Sequence, residues 1–148
     1  MNKSVKRNIL VLLLLSILAI ATVGYYLYNK GPVDVKNSNA IKVSAADLYK
    51  EFISDSTIAL KKYAGKVLLA KGQVSSVSSN QQKEKVILLK TTADGAFINC
   101  TMDEDPGNIN INDEVNIKGI CSGIGQGDEE LGIKADVYLT TCLLIKNK

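Results

Sequence analysis

No histidine occurs in the 148-residue chain, and no arginine follows Arg7. The first absence removes the side chain that most often serves as general base or zinc ligand. Cys100, Cys121 and Cys142 are the only cysteines; they form no CxxC pair and have no fourth partner, which argues against a zinc set. A cysteine nucleophile is equally poorly supported, because no imidazole is present to take its proton. The lack of arginine bears on nucleic acids. Over residues 31–148, 14 lysines stand against 15 carboxylates, a balance of −1, so the overall charge of +3 comes from the N-terminal flank. Phosphate recognition relies on clustered Lys and Arg, and strand binding adds exposed rings for base stacking. After Tyr63 the only aromatic residues are Phe97 and Tyr138. The composition therefore points away from catalysis and cofactors and disfavours nucleic acid.

What the chain does have, first, is a long apolar run. Residues 9–28 read ILVLLLLSILAIATVGYYLY without a charge, and about 20 apolar residues are what a helix needs to span a bilayer. Lys3, Lys6 and Arg7 precede the run, whereas only Lys30 follows closely. Positive flanks stay inside, which predicts a cytoplasmic N-terminus over residues 1–8, a transmembrane helix or uncleaved signal anchor over 9–28, and an exported remainder. Tyr25, Tyr26 and Tyr28 then fall at the outer interface. The competing reading is a cleaved secretory signal ending at Ala21, after the small-x-small triplet Ala19-Ile20-Ala21. The apolar run continues through that point and favours the anchor. Either way the domain is placed on the periplasmic or extracytoplasmic side.

Residues 29–43 are polar, contain Gly31-Pro32 and read as a linker. Residues 44–148 form the folded domain. Ser44 and Asp47 have capping-box spacing, and Ala45, Leu48, Tyr49 and Phe52 follow at helical intervals. Ser54-Asp55-Ser56 interrupts this helix and is placed to end it or to cap a second, which carries Ile58, Ala59, Leu60 and Tyr63 to a stop at Gly65. The aromatic residues Tyr49, Phe52 and Tyr63 are expected to pack against a sheet.

Residues 63–77 hold the stretch around which the rest is organised. Val67, Leu68, Leu69, Val74 and Val77 predict a long strand, and Gly72 marks a bulge or bend that lets it serve both sides of a small closed barrel. Further strands are predicted at 85–91, 96–102, 115–121 and 135–145. The first is expected to pair with the second in a meander and with the fourth across the closure. The carboxylates Asp103, Glu104 and Asp105 match no calcium-loop spacing and read as a solvated turn. Residues 122–132 are glycine-rich but lack the lysine of a phosphate-cradling loop. The fold class is mainly β: a five-stranded, OB-fold-like Greek-key barrel preceded by an α-helical segment and an N-terminal transmembrane helix. The stretch 105–111 is too short for much of the helix that an OB-fold often carries between its third and fourth strands.

Several of these residues also carry a resemblance. Lys62-Tyr63-Ala64-Gly65-Lys66-Val67, Gly72-Gln73-Val74, Asn99-Cys100, the run from Val115 to Gly123, and Asp136-Val137 with Leu139 and Cys142 resemble the tRNA-anticodon-like OB-fold family of exported bacterial proteins. The resemblance covers about residues 44–146 and implies an N-terminal anchor, a leading helix and an OB-type barrel, at a bacterial cytoplasmic membrane. It carries no catalytic residues, and the family name reflects structural likeness rather than tRNA binding.

Function is then expected to be binding. The favoured ligand is a protein, peptide or glycan, with single-stranded or tRNA-like nucleic acid as the alternative. The candidate ligand face comprises Lys66, Lys71, Lys85, Lys90, Phe97 and Tyr138, with Lys83 beside them if nucleic acid is gripped. Cys100, Cys121 and Cys142 read equally as core thiols or as one disulfide of unassigned pairing with a thiol left over.

Overall fold

The computed structural model describes residues 3–29, 31, 33–128 and 130–145, in two units that divide between Val33 and Asp34. The first unit is α1 (Lys3–Asn29), one continuous helix of 27 residues. Among the described residues no helix is both long and apolar enough to cross a membrane. The side chains of Leu10, Val11, Leu14 and Leu27 lie outside that description, as do those of the basic flank at Lys3, Lys6 and Arg7.

The second unit begins with a strand where a linker was expected. β1 (Ile41–Ser44) runs parallel to β2 (Val67–Ser79), with Ile41 opposite Leu68 and Ser44 opposite Lys71. Ser44 then turns the chain into α2 (Ala45–Ser54): its backbone is extended and its hydroxyl accepts from the Asp47 N–H at 3.0 Å. Asp55 closes α2 through its own N–H, then caps α3 (Ser56–Tyr63) by accepting from the Ile58 N–H at 3.0 Å. The interruption at 54–56 thus does both jobs left open by the sequence. Gly65, with φ +72°, follows α3 in the left-handed conformation common just beyond helix ends.

Five strands close the barrel: β2, β3 (Lys85–Lys90), β4 (Phe97–Met102), β5 (Glu114–Ile124) and β6 (Val137–Ile145). The order is β1-β2-β3-β4-β6-β5, and β2 also pairs with β5. All contacts between neighbours in the barrel are antiparallel except β4 with β6. This is the Greek-key closure of an OB-fold. The expected role of β2 holds. Its first half, Val67 to Gln73, pairs with β5, and its second half, Val74 to Ser79, pairs with β3. Because β3 reaches only the second half, one edge of the first half is left over, and β1 fills it.

Two features of the strands differ from expectation. β5 extends through Ile124 into the glycine-rich stretch read as loop. The bulge in β2 falls between Val74 and Ser76 rather than at Gly72. Gly72 serves close approach instead: a Cβ there would lie 2.9 Å from the Ala45 Cβ and 3.2 Å from that of Leu89, so its lack of a side chain lets α2 seat on the barrel. Among the described residues, 103–113 contain no helix.

The core is apolar throughout. Leu68, Ala70, Val74, Ile87, Ile98 and Ile117 line the interior with no exposed surface, while Leu48 and Phe52 of α2 and Ala59 and Tyr63 of α3 join them from the helices. Phe52 and Tyr63 meet as tilted rings with centroids 6.2 Å apart, an arrangement aromatic pairs favour.

Candidate functional site

The predicted ligand residues do not form one face. A closed barrel turns the outer surface of β2 as it curls, so side chains at its two halves look in different directions. Lys90, Phe97 and Tyr138 do come together. Lys90 and Phe97 are register partners on β3 and β4, and Asn99 is opposite Tyr138 on β6. All alternate with buried Leu89, Ile98, Val137 and Leu139, and therefore occupy the outer face. Lys90 is already engaged: its Nζ donates to Gln73 Oε1 at 3.0 Å and to Asn112 Oδ1 at 2.7 Å. Lys85 begins β3 opposite Ser79, and its parity is that of inward-facing Ile87. Lys83 sits in the preceding turn with φ +65°. Lys66 lies before β2, where its carbonyl accepts from the Cys121 N–H. Lys71 belongs to the first half of β2 and pairs with Glu114 at 3.2 Å across to β5.

Asp136 explains one of the motif matches. Its carboxylate accepts from the Phe97 N–H at 2.8 Å, while its carbonyl accepts from the Gly125 N–H. It thereby fixes the start of β4 and the exit of the β5–β6 loop in one place.

A second surface is absent from the sequence expectations. Beside Lys71, an open cleft of about 850 Å³ runs between β1, the outer face of β2 and the polar side of α2. Lys42, Lys50, Lys62 and Lys71 line it, against Asp47 and Glu51. Lys62 donates to Glu51 at 2.7 Å, and the Tyr63 hydroxyl donates to the other oxygen of the same carboxylate at 2.9 Å. The Lys62 hydrogen bond, assisted by that of Tyr63, holds the Glu51 carboxyl below its ordinary range. Burial pushes the Tyr63 phenol up. Asp47 is held by the Ser44 hydroxyl at 2.6 Å. Lys42 and Lys50 have no carboxylate within ion-pair distance among the described residues. The cleft is hard to see in the sequence because its wall, residues 41–43, continues a polar, linker-like stretch; its signal there is the brief apolar–polar–apolar alternation of Ile41, Lys42 and Val43.

The three thiols are free and fully buried. Of the two readings left open by the sequence, this structure has the core thiols, with Cys100 and Cys142 in contact. A hydrogen bond with the Cys142 thiol, and then burial, push the Cys100 thiol well above the usual range; burial also raises that of Cys121. Since the thiolate is the reactive form, Cys100 and Cys121 are shielded both sterically and chemically, and Cys142 is shielded by burial. A thiol-titrating reagent is expected to find none in the native protein purified without reductant, and three per chain once it is denatured. One thiol after denaturation would mean that a pair oxidises in the native compartment.

Among the described residues, no three His, Cys, Asp or Glu side chains gather as a metal set. Asp105, from the acidic stretch, instead accepts from the Gly107 N–H at 3.0 Å within its own turn.

The chain was compared with known families and proteins. No curated protein matches it significantly. The family described as tRNA_anti-like matches over residues 1–130, taking in α1, both short helices and four of the five barrel strands and ending in the loop before β6. That range covers most of the chain, and the closed five-stranded barrel agrees with it: the protein belongs to the tRNA_anti-like family.

Proposed function

We propose that the protein is a non-enzymatic binding module, tethered by its N-terminal helix to a bacterial cytoplasmic membrane, with its OB barrel on the exported side. The ligand class is protein, peptide or glycan. The observation that carries binding is the pair of open outer surfaces on an otherwise closed barrel, one of them a cleft with two cations that lack carboxylate partners among the described residues. A barrel of this family offers a rigid scaffold for recognition, and its loops and outer faces set the ligand.

The tether is supported by length and sequence together. A helix of 27 residues is about 40 Å long, against a hydrocarbon core of about 30 Å. Counted in full, with Leu10, Val11, Leu14 and Leu27 included, residues 9–28 carry no charge. The basic residues Lys3, Lys6 and Arg7 favour a cytoplasmic N-terminus. This segment also lies within the family match.

Nucleic acid is the second reading, and the adjacency of Lys90, Phe97 and Tyr138 on the outer face favours it. Against it stand the hydrogen bonds that occupy Lys90 and the scarcity of further rings.

The test uses the full chain. Membranes are washed with carbonate and the mature N-terminus is sequenced. The purified protein is then offered peptidoglycan fragments, envelope proteins and single-stranded oligonucleotides at about 0.15 M salt. Retention in the membrane, an intact N-terminus and a salt-tolerant protein or glycan ligand are expected. A chain that starts at Thr22 and washes off removes the tether. Salt-sensitive oligonucleotide binding alone transfers the function to the second reading, and reproducible turnover of any substrate ends the non-enzymatic one.

A further inference from the structure

The lysine-lined cleft has a wall of a particular kind. β1 is the terminal strand of the sheet, bonded to β2 on one side only. Among the described residues, no backbone hydrogen bond outside that ladder engages Ile41, Lys42 or Val43. All three of these residues line the cleft. An unpaired strand edge presents N–H and C=O groups at strand spacing, and another extended polypeptide satisfies them by joining the sheet. A sugar or a nucleotide does not reproduce that alternation of acceptors and donors. Base stacking is not offered either, since Tyr63, the one ring in the lining, is 2% exposed.

Charge narrows the occupant further. Lys62 is neutralised by Glu51, and Lys71 by Glu114. Lys42 on β1 and Lys50 on α2 are exposed and have no such partner among the described residues. They line the cleft from two elements. Leu69, the register partner of Lys42, is half-buried on the outer face of β2 and gives the cleft an apolar contact for the incoming segment.

We infer that this cleft takes an extended, acidic segment of a partner protein, added as a strand to the free edge of β1, with carboxylates against Lys42 and Lys50. The inference rests on the binding-module reading and names its ligand. It places recognition on the side of β2 that carries β1, apart from the β3–β4–β6 face.

The experiment uses the full chain in detergent micelles. A fluorescein-labelled octapeptide of alternating Val and Glu is titrated and followed by anisotropy. The same peptide with alternate backbone nitrogens methylated, and one of alternating Val and Lys, serve as controls. Saturable binding of the acidic peptide is expected, with no binding of the basic one. A loss of about tenfold is expected in the double variant K42E/K50E, where like charges face each other. N-methylation is expected to weaken binding by a similar factor, because it removes the ladder and leaves the charge. Amide shifts on titration should centre on Ile41 to Ser44 and leave Phe97, Asn99 and Tyr138 unmoved. Equal affinity for the methylated peptide, or shifts centred on Phe97 and Tyr138, overturns the inference. So does failure to bind the acidic peptide. If the same sample then binds muropeptides, the module reading survives without the cleft; if it binds only a single-stranded oligonucleotide, function passes to the nucleic-acid reading, and if it binds none of these probes, both fall.

Discussion

Replacing Gly119 with alanine is expected to destabilise the barrel by about 1–3 kcal/mol, the usual cost of overpacking a filled core. Gly119 is on the inward face of β5, opposite Leu68 of β2. A Cβ there would run into the Cys142 sulfur and come within 3.2 Å of the Thr140 carbonyl oxygen. The sulfur has nowhere to retreat, since Cys100, Cys121 and Leu139 are fully buried in the same cluster. Cys142→Ala alone removes one buried atom and should cost about 1 kcal/mol. The informative variant is the double one. With the sulfur gone the new methyl has room, so G119A/C142A is expected to be no less stable than C142A. That outcome is a favourable coupling of at least about 1 kcal/mol between neighbours. Urea titrations of the four proteins, followed by the near-ultraviolet circular dichroism of the tyrosines, measure it. If G119A costs the same with and without Cys142, the thiol is not what excludes a side chain at this position.

The reason Cys142 faces inward marks where sequence reading stops. Strict alternation from Val137 and Leu139 puts Thr141, not Cys142, in the core. The structure resolves this with a bulge. Lys118 pairs with Leu143 and Ile120 with Thr140, so Gly119 faces two residues of β6, and Thr141 adopts a left-handed φ of +52°. The extra residue shifts parity by one and turns Cys142 towards Cys100. Nothing in the local string Thr140-Thr141-Cys142 announces this, because a β-branched residue at positive φ runs against local preference. By contrast, β5 was plain: Val115, Ile117, Gly119 and Cys121 alternate without interruption and are all buried. The caps were legible for the same reason. Ser44 with Asp47, and Asp55, satisfy N–H groups within three residues of themselves, so their signal is local.

Sites suffered more than elements. A strand pattern tells which side chains face outward but not which outward directions coincide once the sheet closes. Lys71 and Lys90 are both outward-facing lysines on neighbouring strands, yet β2 carries Lys71 beside β1 and β5, whereas Lys90 looks out beside β4. Likewise Lys42 and Lys50 reach one cleft only because β1 joins the sheet. A four-residue strand has too few positions for a period to be read, and its pairing is set by the edge that β3 leaves on β2.

Phe52→Ala is expected to have the largest effect of any single substitution outside the barrel strands, a loss of about 3–5 kcal/mol. Phe52 is 1% exposed and brings α2 into the core beside Tyr63 of α3. Its neighbour Ile53 lies about 100° round the helix and is 58% exposed. Ile53→Ala should therefore change stability by no more than about 0.5 kcal/mol. The two positions are adjacent in the same helix, so their helical context does not separate them; burial does. A domain of this size is typically stable by about 5–15 kcal/mol, which makes the Phe52 loss a large fraction of the whole and predicts a low urea midpoint. Were both alanine variants to unfold at the same urea concentration, α2 would not be packed as described. The wall that α2 gives the lysine cleft would then have no fixed position, and the orientation of Lys50 towards β1 would lose its basis.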